Sequence, residues 1–323
     1  MNGDGPRGPR ETPAWVARAL SAARPWFETR SPELGRRLAR VHARVVRKGG
    51  PTSLDAALAA SLATPFLQLT EALRVDLDLP DGDAIAAIGE GTLALYFYLR
   101  AQDDMVDEPA DLDVSFVYAA EVFAGASAEA YARAIGGDPA FWSLRRRVLD
   151  DLAAVSSWEF DTLRSVDPIQ AAERAEEHAT RLGDKLGPIA IPLAATAIAA
   201  HRPDAIERLH ACSLHLGRAL QVANDLLNAR DDHVGGRMTP SLAALYAGGR
   251  VTRETPPFQV WPALVADPAL PRMQAFALRE IDRALSLLAD LGAPALAEVT
   301  KRSARVLHEI PSRLLGLSLG VRR

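Results

Sequence analysis

Apolar residues recur at three- and four-residue spacing along almost the whole of this chain. No stretch alternates apolar and polar side chains convincingly, and none carries an Asn-Gly hairpin turn. The first pattern lays an apolar stripe along one face of a helix, and the second is what a half-buried strand would need. The chain is therefore expected to be all-α, with about ten helices. Local punctuation agrees. Ser31-Pro32 reads as an N-cap with proline at the first helical position, and Ser53 and Asp81 precede long periodic runs. Stops are expected at Gly49-Gly50, Gly136-Gly137, His201-Arg202-Pro203 and Gly248-Gly249. Residues 1–13 are rich in Gly, Pro and Arg and lack the apolar stretch of a signal peptide, so they read as a disordered tail. With no linker or repeat in the remainder, residues 14–323 read as one helical domain.

Composition narrows the classes of function. A formal net charge of -4 leaves no basic field to hold a nucleic-acid backbone. The only cysteine, Cys212, rules out an internal disulfide and a multi-cysteine zinc site, which fits a reducing compartment such as the cytoplasm. The longest apolar run, residues 186–200, contains Pro188 and Pro192 and is shorter than the ~20 residues of a membrane span. It reads as a buried, kinked helix. The stretch 303–323 is amphipathic with a basic end, so packing on the bundle is expected and weak membrane-surface association stays open.

Two segments carry chemistry. In Ala94 to Glu108, ALYFYLRAQDDMVDE, an apolar helix ends in acids. Asp103 and Asp107 stand four apart on one face with Asp104 beside them. Like charges at that spacing repel, and acids are disfavoured at the negative end of a helix dipole. A solvated helix end explains them poorly. A hard divalent ion such as Mg2+, which prefers carboxylate oxygens and is shared with substrate phosphates, explains them well. The second segment is Gly217 to Pro240, GRALQVANDLLNARDDHVGGRMTP. Here Asn224, Asn228 and Asp232 fall at i, i+4 and i+8, with Gln221 and Asp225 close to the same stripe. Such a stripe is either a structural hydrogen-bond network or a set of metal-binding oxygens.

A third segment, His178 to Gly187, sets Arg181 and Lys185 on one face with His178, before Gly187 and Pro188. These cations either grip a diphosphate or form an ordinary surface face in which Arg181 pairs with Glu177. The segment Trp158 to Asp161, WEFD, reads as an interhelix contact, and Cys212 as a small core residue.

Together the two acidic segments resemble the paired aspartate-rich motifs of the class I isoprenoid synthase superfamily, most specifically squalene/phytoene synthases. The first resembles that family's aromatic helix, its arginine (Arg100) and its DDxxDE acids (Asp103, Asp104, Asp107 and Glu108). The second resembles its LQxxN…D…GR…P signature through Leu220, Gln221, Asn224, Asp232, Gly236, Arg237 and Pro240. Two departures stand out. Leu227-Asn228 replaces the family's Arg-Asp pair, and its tyrosine-rich stretch is not evident in residues 178–187. Asn224, Asn228 and Asp232 also resemble a relaxed version of the Asn/Ser/Glu triad of terpene cyclases.

The resemblance implies a single helical bundle around a central cavity and a Mg2+-dependent enzyme that ionises an allylic prenyl diphosphate, then transfers or condenses the prenyl group. Terpene cyclisation is the alternative, and a non-catalytic isoprenoid-binding bundle the second. It implies catalytic roles for Asp103, Asp107, Asn224 and Asp232. Metal binding would fall to Asp103, Asp104, Asp107, Asn224, Asn228 and Asp232. Arg100, Arg181, Lys185, Gln221 and Arg237 would contact the substrate. A homodimer is compatible with it. Tyr96, Phe97, Tyr98, Phe116, Trp142, Trp158 and Phe160 are candidates to line an apolar cavity, with core packing as the other role for each.

Overall fold

The computed structural model describes residues 13–28, 65–107, 115–163 and 167–318. Among them are thirteen α-helices and no strand, so the all-α expectation holds. The expected tail over residues 1–12, Ser31-Pro32, Ser53 and the Gly49-Gly50 stop lie outside the described residues. The chain forms two compact units, Met1–Asp138 with Ile198–His201, and Pro139–Ala197 with Arg202–Arg323.

The first unit contains α1 (Ala14–Glu28), α2 (Pro65–Asp76), α3 (Asp83–Asp107) and α4 (Ser115–Ile135). Two glycines let neighbours come close to α3. A Cβ at Gly89 would lie 2.5 Å from the Trp15 ring of α1, and one at Gly91 would lie 3.1 Å from the Tyr131 ring of α4. Both aromatics are fully buried. Phe97 of α3 stacks on Phe123 of α4 with centroids 5.2 Å apart, and the Tyr131 hydroxyl meets Thr92 Oγ1 at 3.2 Å. Asp81 stands two residues before the start of α3, where the sequence places a helix start. Its carboxylate accepts from the Trp15 backbone N–H at 3.3 Å and pairs with Arg18, which ties it to the first turns of α1. The α4 stop falls where expected, with Gly136 at φ +66°.

The second unit is built on α9. Its helices are α5 (Pro139–Asp161), α6 (Pro168–Glu173), α7 (Ala175–Gly183), α8 (Ala190–Ala199), α9 (Ile206–Val234), α10 (Pro240–Ala247), α11 (Val260–Val265), α12 (Ala269–Leu291) and α13 (Pro294–Ser318). α7 does not run straight into α8. Residues Asp184–Ile189 form a 3-10 segment containing Pro188, as a proline that lacks an N–H and crowds the preceding turn requires. This break is one reason that thirteen helices stand where about ten were expected. The stops at His201 (φ +57°) and Gly249 (φ +63°) fall where the sequence places them.

Residues Ala175–Ala199, taken as one run of mean hydropathy 1.2, are long and apolar enough by composition to cross a membrane, yet 72% of the window is buried in the fold. Cys212 is buried, which pushes its thiol up to about 12. α13 turns Leu307, Ile310 and Leu314 into the core of this unit.

α7 and α9 meet backbone to backbone. A Cβ at Gly183 would lie 2.3 Å from the Arg218 Cα, and one at Gly217 would lie 2.8 Å from the Gly183 carbonyl oxygen. One turn away, Glu280 of α12 is buried and accepts from His215 Nδ1 at 2.7 Å and Arg218 Nη1 at 3.5 Å, and it pairs with Arg283. Arg218 also donates from Nε to Asp184 Oδ1 at 2.9 Å. Burial pushes the Glu280 carboxyl up, but the hydrogen bond from His215 and the charges of His215, Arg218 and Arg283 outweigh it and leave the group below the usual carboxylate range.

Candidate functional site

In the first unit, the C-terminal end of α3 bears Arg100, Asp103, Asp104 and Asp107. Arg100, expected to contact substrate, donates from Nη1 to Asp103 Oδ2 at 2.8 Å, one helical turn away. This answers in part the repulsion that made the acids conspicuous. The side chains of Asp104 and Asp107, with that of Phe116, lie outside the described residues. Of the aromatics on this helix, Phe97 is core, while Tyr98 accepts from Gln102 Nε2 at 2.6 Å.

In the second unit, the C-terminal half of α9 carries the other polar stripe. Its residues differ in depth: Asn224 is exposed, Asn228 half-buried, and Asp232 and Asp225 buried. Asn228 Nδ2 donates to Asn224 Oδ1 at 2.8 Å, pairing the two carboxamides one turn apart. Asp225, only 4% exposed, accepts from Gln221 Nε2 at 2.8 Å. Burial pushes its carboxyl well above the ordinary range, the nearby Asp232 charge adds to the shift, and Gln221 and Lys185 offset only part of it. Asp232 Oδ1 in turn accepts from Arg237 Nε at 2.9 Å, while the Arg237 N–H caps the helix by donating to the Asp232 carbonyl at 2.8 Å.

The cations of the 178–187 segment are both engaged by α5. Lys185 Nζ donates to Glu159 Oε2 at 2.6 Å, with both side chains largely buried. Arg181 stacks 4.3 Å over the Trp158 ring, and His178 packs edge-on against that same ring at 5.5 Å. The alternative of an Arg181–Glu177 surface pair does not form, because Glu177 pairs with Arg174. His178 is buried with its Nδ1 unpartnered. Burial, with the charges of Arg174 and Arg181, pushes its imidazole below the usual range. The WEFD segment is an interhelix contact, as expected, but it also brings Glu159 to Lys185 and into the electrostatic surroundings of Asp225. Glu159 is the member of this cluster that the sequence reading missed, and nothing in its local sequence marks it. Phe160, next to it, is 55% exposed, so it is not a core residue.

Among the described residues, no three His, Cys, Asp or Glu side chains stand together as a ready-made metal shell. The donors on the α9 stripe are oxygens throughout. That chemistry suits a hard cation sharing its coordination with phosphate and water, and it does not suit zinc or copper. A buried carboxyl pushed up beside a second carboxylate is also where a cation or a proton must enter before both can be accommodated. The residues present therefore fit a divalent magnesium-type ion.

No family model matches the sequence, and no curated protein matches it. Solved structures do. A geranylgeranyl pyrophosphate synthetase from the archaeon Geoglobus acetivorans superposes with a TM-score of 0.65 at 14% identity, over 91% of this chain and 99% of that one. A decaprenyl diphosphate synthase from Rhodobacter capsulatus gives 0.66 at 14% identity, over 93% and 96%. A polyprenyl synthase from Caulobacter crescentus CB15, complexed with calcium and isoprenyl diphosphate, gives 0.55 at 19% identity, over 93% and 99%. At such identities the likeness is one of architecture, and these neighbours are chain-building prenyl synthases, whereas the motifs suggested squalene/phytoene synthases. The chain has the all-helical trans-isoprenoid diphosphate synthase fold.

Proposed function

We propose that this chain is a Mg2+-dependent prenyltransferase that ionises an allylic prenyl diphosphate and passes the prenyl group to an acceptor. The observation that carries the reading is the buried Asp225 carboxyl, pushed up by burial and Asp232, at the centre of a stripe of oxygen donors on α9. The fold shared with solved prenyl synthases supports it. Each unit carries residues that would hold Mg2+: Asp103, Asp104 and Asp107 on α3 in the first, and Asn224, Asn228 and Asp232 on α9 in the second. The ion supplies charge neutralisation to the departing diphosphate. Lys185, Arg181, Arg100, Gln221 and Arg237 orient the diphosphate by charge-assisted hydrogen bonds. Glu159 holds the Lys185 ammonium in place, and Trp158 does the same for the Arg181 guanidinium. Aromatic faces such as Trp158 help to shelter a carbocation from water, at up to ~2 kcal/mol each.

Within this class, the motif resemblance favours condensation of two allylic diphosphates, as in squalene/phytoene synthases. The Asn224–Asn228 carboxamide pair leading to Asp232 favours, as a second reading, cyclisation of a single diphosphate. The proposal takes the protein to be cytoplasmic and able to form a homodimer, with no nucleic-acid partner.

The test is incubation of the purified chain with Mg2+ and geranyl, farnesyl or geranylgeranyl diphosphate, with and without isopentenyl diphosphate, followed by mass spectrometry of phosphatase-treated extracts. A doubled or lengthened chain establishes prenyl transfer. A cyclic hydrocarbon or alcohol from one diphosphate establishes cyclisation, and unchanged substrate in every tube overturns the enzymatic reading in favour of an isoprenoid-binding bundle. Asp103→Asn is expected to lower turnover by about 1,000-fold with the circular dichroism spectrum unchanged. Retained turnover would remove Asp103 from the metal site.

A further inference from the structure

The turn that ends α9 is packed against the loop joining α10 to α11. His233, next to Asp232, has both ring nitrogens engaged. Nε2 lies 2.8 Å from the Thr255 carbonyl, which can only accept, so Nε2 carries the proton and Nδ1 accepts from the Tyr246 hydroxyl at 2.7 Å. The loop is also tied to itself by the Thr252 N–H donating to Thr255 Oγ1 at 2.8 Å. These bonds hold Arg253 in a defined place. Its guanidinium lies 5.5 Å from the centroid of the Tyr246 ring, and its Nη1 lies 3.2 Å from where a Cβ would stand on Gly236, in the turn that leads to Arg237.

Every other arginine of this corner is matched to a carboxylate: Arg237 to Asp232, Arg230 to Asp231, and Arg250 to Asp267. Arg253 has no carboxylate partner among the described residues, and the neighbouring Glu254 bonds to Thr252 instead. An exposed arginine fixed against an aromatic ring, with its guanidinium donors uncommitted, is preorganised for an anion, because little side-chain entropy remains to be lost on binding.

We propose that Arg253 is a specificity-determining residue that takes the terminal phosphate of a diphosphate bound at the C-terminal end of α9, so that the protein distinguishes a diphosphate from a monophosphate. The inference rests on the prenyl diphosphate reading above. Arg237 and Asp232 mark the place of the ligand, Arg253 reaches it from the loop, and the His233–Tyr246–Thr255 bonds act as a brace that positions Arg253 without touching the ligand.

The probe is inorganic pyrophosphate with Mg2+, titrated calorimetrically into the full chain against orthophosphate with Mg2+, for wild type, Arg253→Ala and Arg253→Lys, each with its melting temperature. The expected result is that Arg253→Ala weakens pyrophosphate about tenfold or more, as loss of a charge-assisted pair should, with orthophosphate affinity and melting temperature unchanged and Arg253→Lys in between. Tyr246→Phe keeps the ring but removes the brace, and should give a smaller loss of the same sign. If Arg253→Ala binds pyrophosphate within twofold of wild type, the role of Arg253 is overturned and the prenyl diphosphate reading stands. An equal loss for both anions together with a lower melting temperature also overturns it, as a structural effect. Failure of the wild type to bind pyrophosphate at all brings down both.

Discussion

Two of the buried carboxyls in the second unit, Glu280 against the N-terminal half of α9 and Asp225 within its C-terminal half, have opposite surroundings. Glu280, 1% exposed, lies against the N-terminal half and is met by His215, Arg218 and Arg283. Asp225, 4% exposed, lies in the C-terminal half with a carboxamide as its hydrogen-bond partner and a second carboxylate, Asp232, nearby. Burial alone pushes both carboxyls up. Cations reverse the effect at Glu280 and leave it standing at Asp225. A buried acid supplied with its own counter-ions is part of the scaffold. A buried acid with fewer of them is, on the function proposed above, a place where a cation would be accommodated.

The largest effect should come from removing the satisfied acid. Glu280→Ala removes the shared acceptor of His215, Arg218 and Arg283 and is expected to lower unfolding free energy by about 3 kcal/mol in urea titrations, because the half-buried His215 and Arg218 lose a buried partner. The metal-dependent pyrophosphate affinity of the molecules that stay folded should be unchanged. An unaffected midpoint would erase the distinction.

Asp225→Asn should act in the reverse sense. It keeps the acceptor for Gln221 and removes the buried charge, so the metal-free protein should gain about 1 kcal/mol while Mg2+-dependent pyrophosphate binding falls at least tenfold. A variant that loses stability as well as binding would return Asp225 to the scaffold.

The two sites should also differ in pH dependence. The contribution of Glu280, whose carboxyl is held low, is present above its unfolded value of about 4.3 and is lost as pH falls through its lower folded value. Asp225, whose carboxyl is held high, contributes fully below its unfolded value of about 3.9, and that contribution is lost as pH rises toward its folded value. The stability advantage of Asp225→Asn should therefore grow as pH is raised from about 4, whereas the deficit of Glu280→Ala should shrink as pH is lowered through the same region. Melting temperatures of the metal-free variants across pH 3 to 8 test both signs.

The smallest effect is expected for Asn228→Asp. A charge one turn from Asp232 should cost a few tenths of a kcal/mol without metal, and it should tighten Mg2+-dependent binding severalfold if this stripe faces the ion. Unchanged binding would remove residue 228 from the metal shell.

Much of this was legible in the chain itself. The stripe at Asn224, Asn228 and Asp232 lies on one helix as its spacing requires, and the acids at the end of α3 sit where the apolar run stops. Three of the helix stops are glycine or proline sites that no other local chemistry disguises. What the spacing could not tell was depth. Asn224 and Asp225 are adjacent, about 100° apart around the helix, and only packing decides that the acid turns inward and the amide outward. The partnerships of Lys185 with Glu159 and of Arg181 with Trp158 join residues from different helices, and local patterns favoured the nearer Glu177 for Arg181. The partners of Asp81 were hidden for the same reason, since its bonds go to a helix 63 or more positions away.

The close approach of Gly183 to Gly217 has a consequence for how this protein can change over time. Side chains that set the register between two helices can drift, one substitution compensating another. Here the register is set by main-chain atoms, which substitution cannot trim. Lys185 follows Gly183 by two positions, and Asp225 lies two helical turns beyond Gly217, so the separation of ammonium and buried carboxyl is inherited from that contact. The surrounding core is free to exchange one apolar residue for another while the charge pattern of the site stays put.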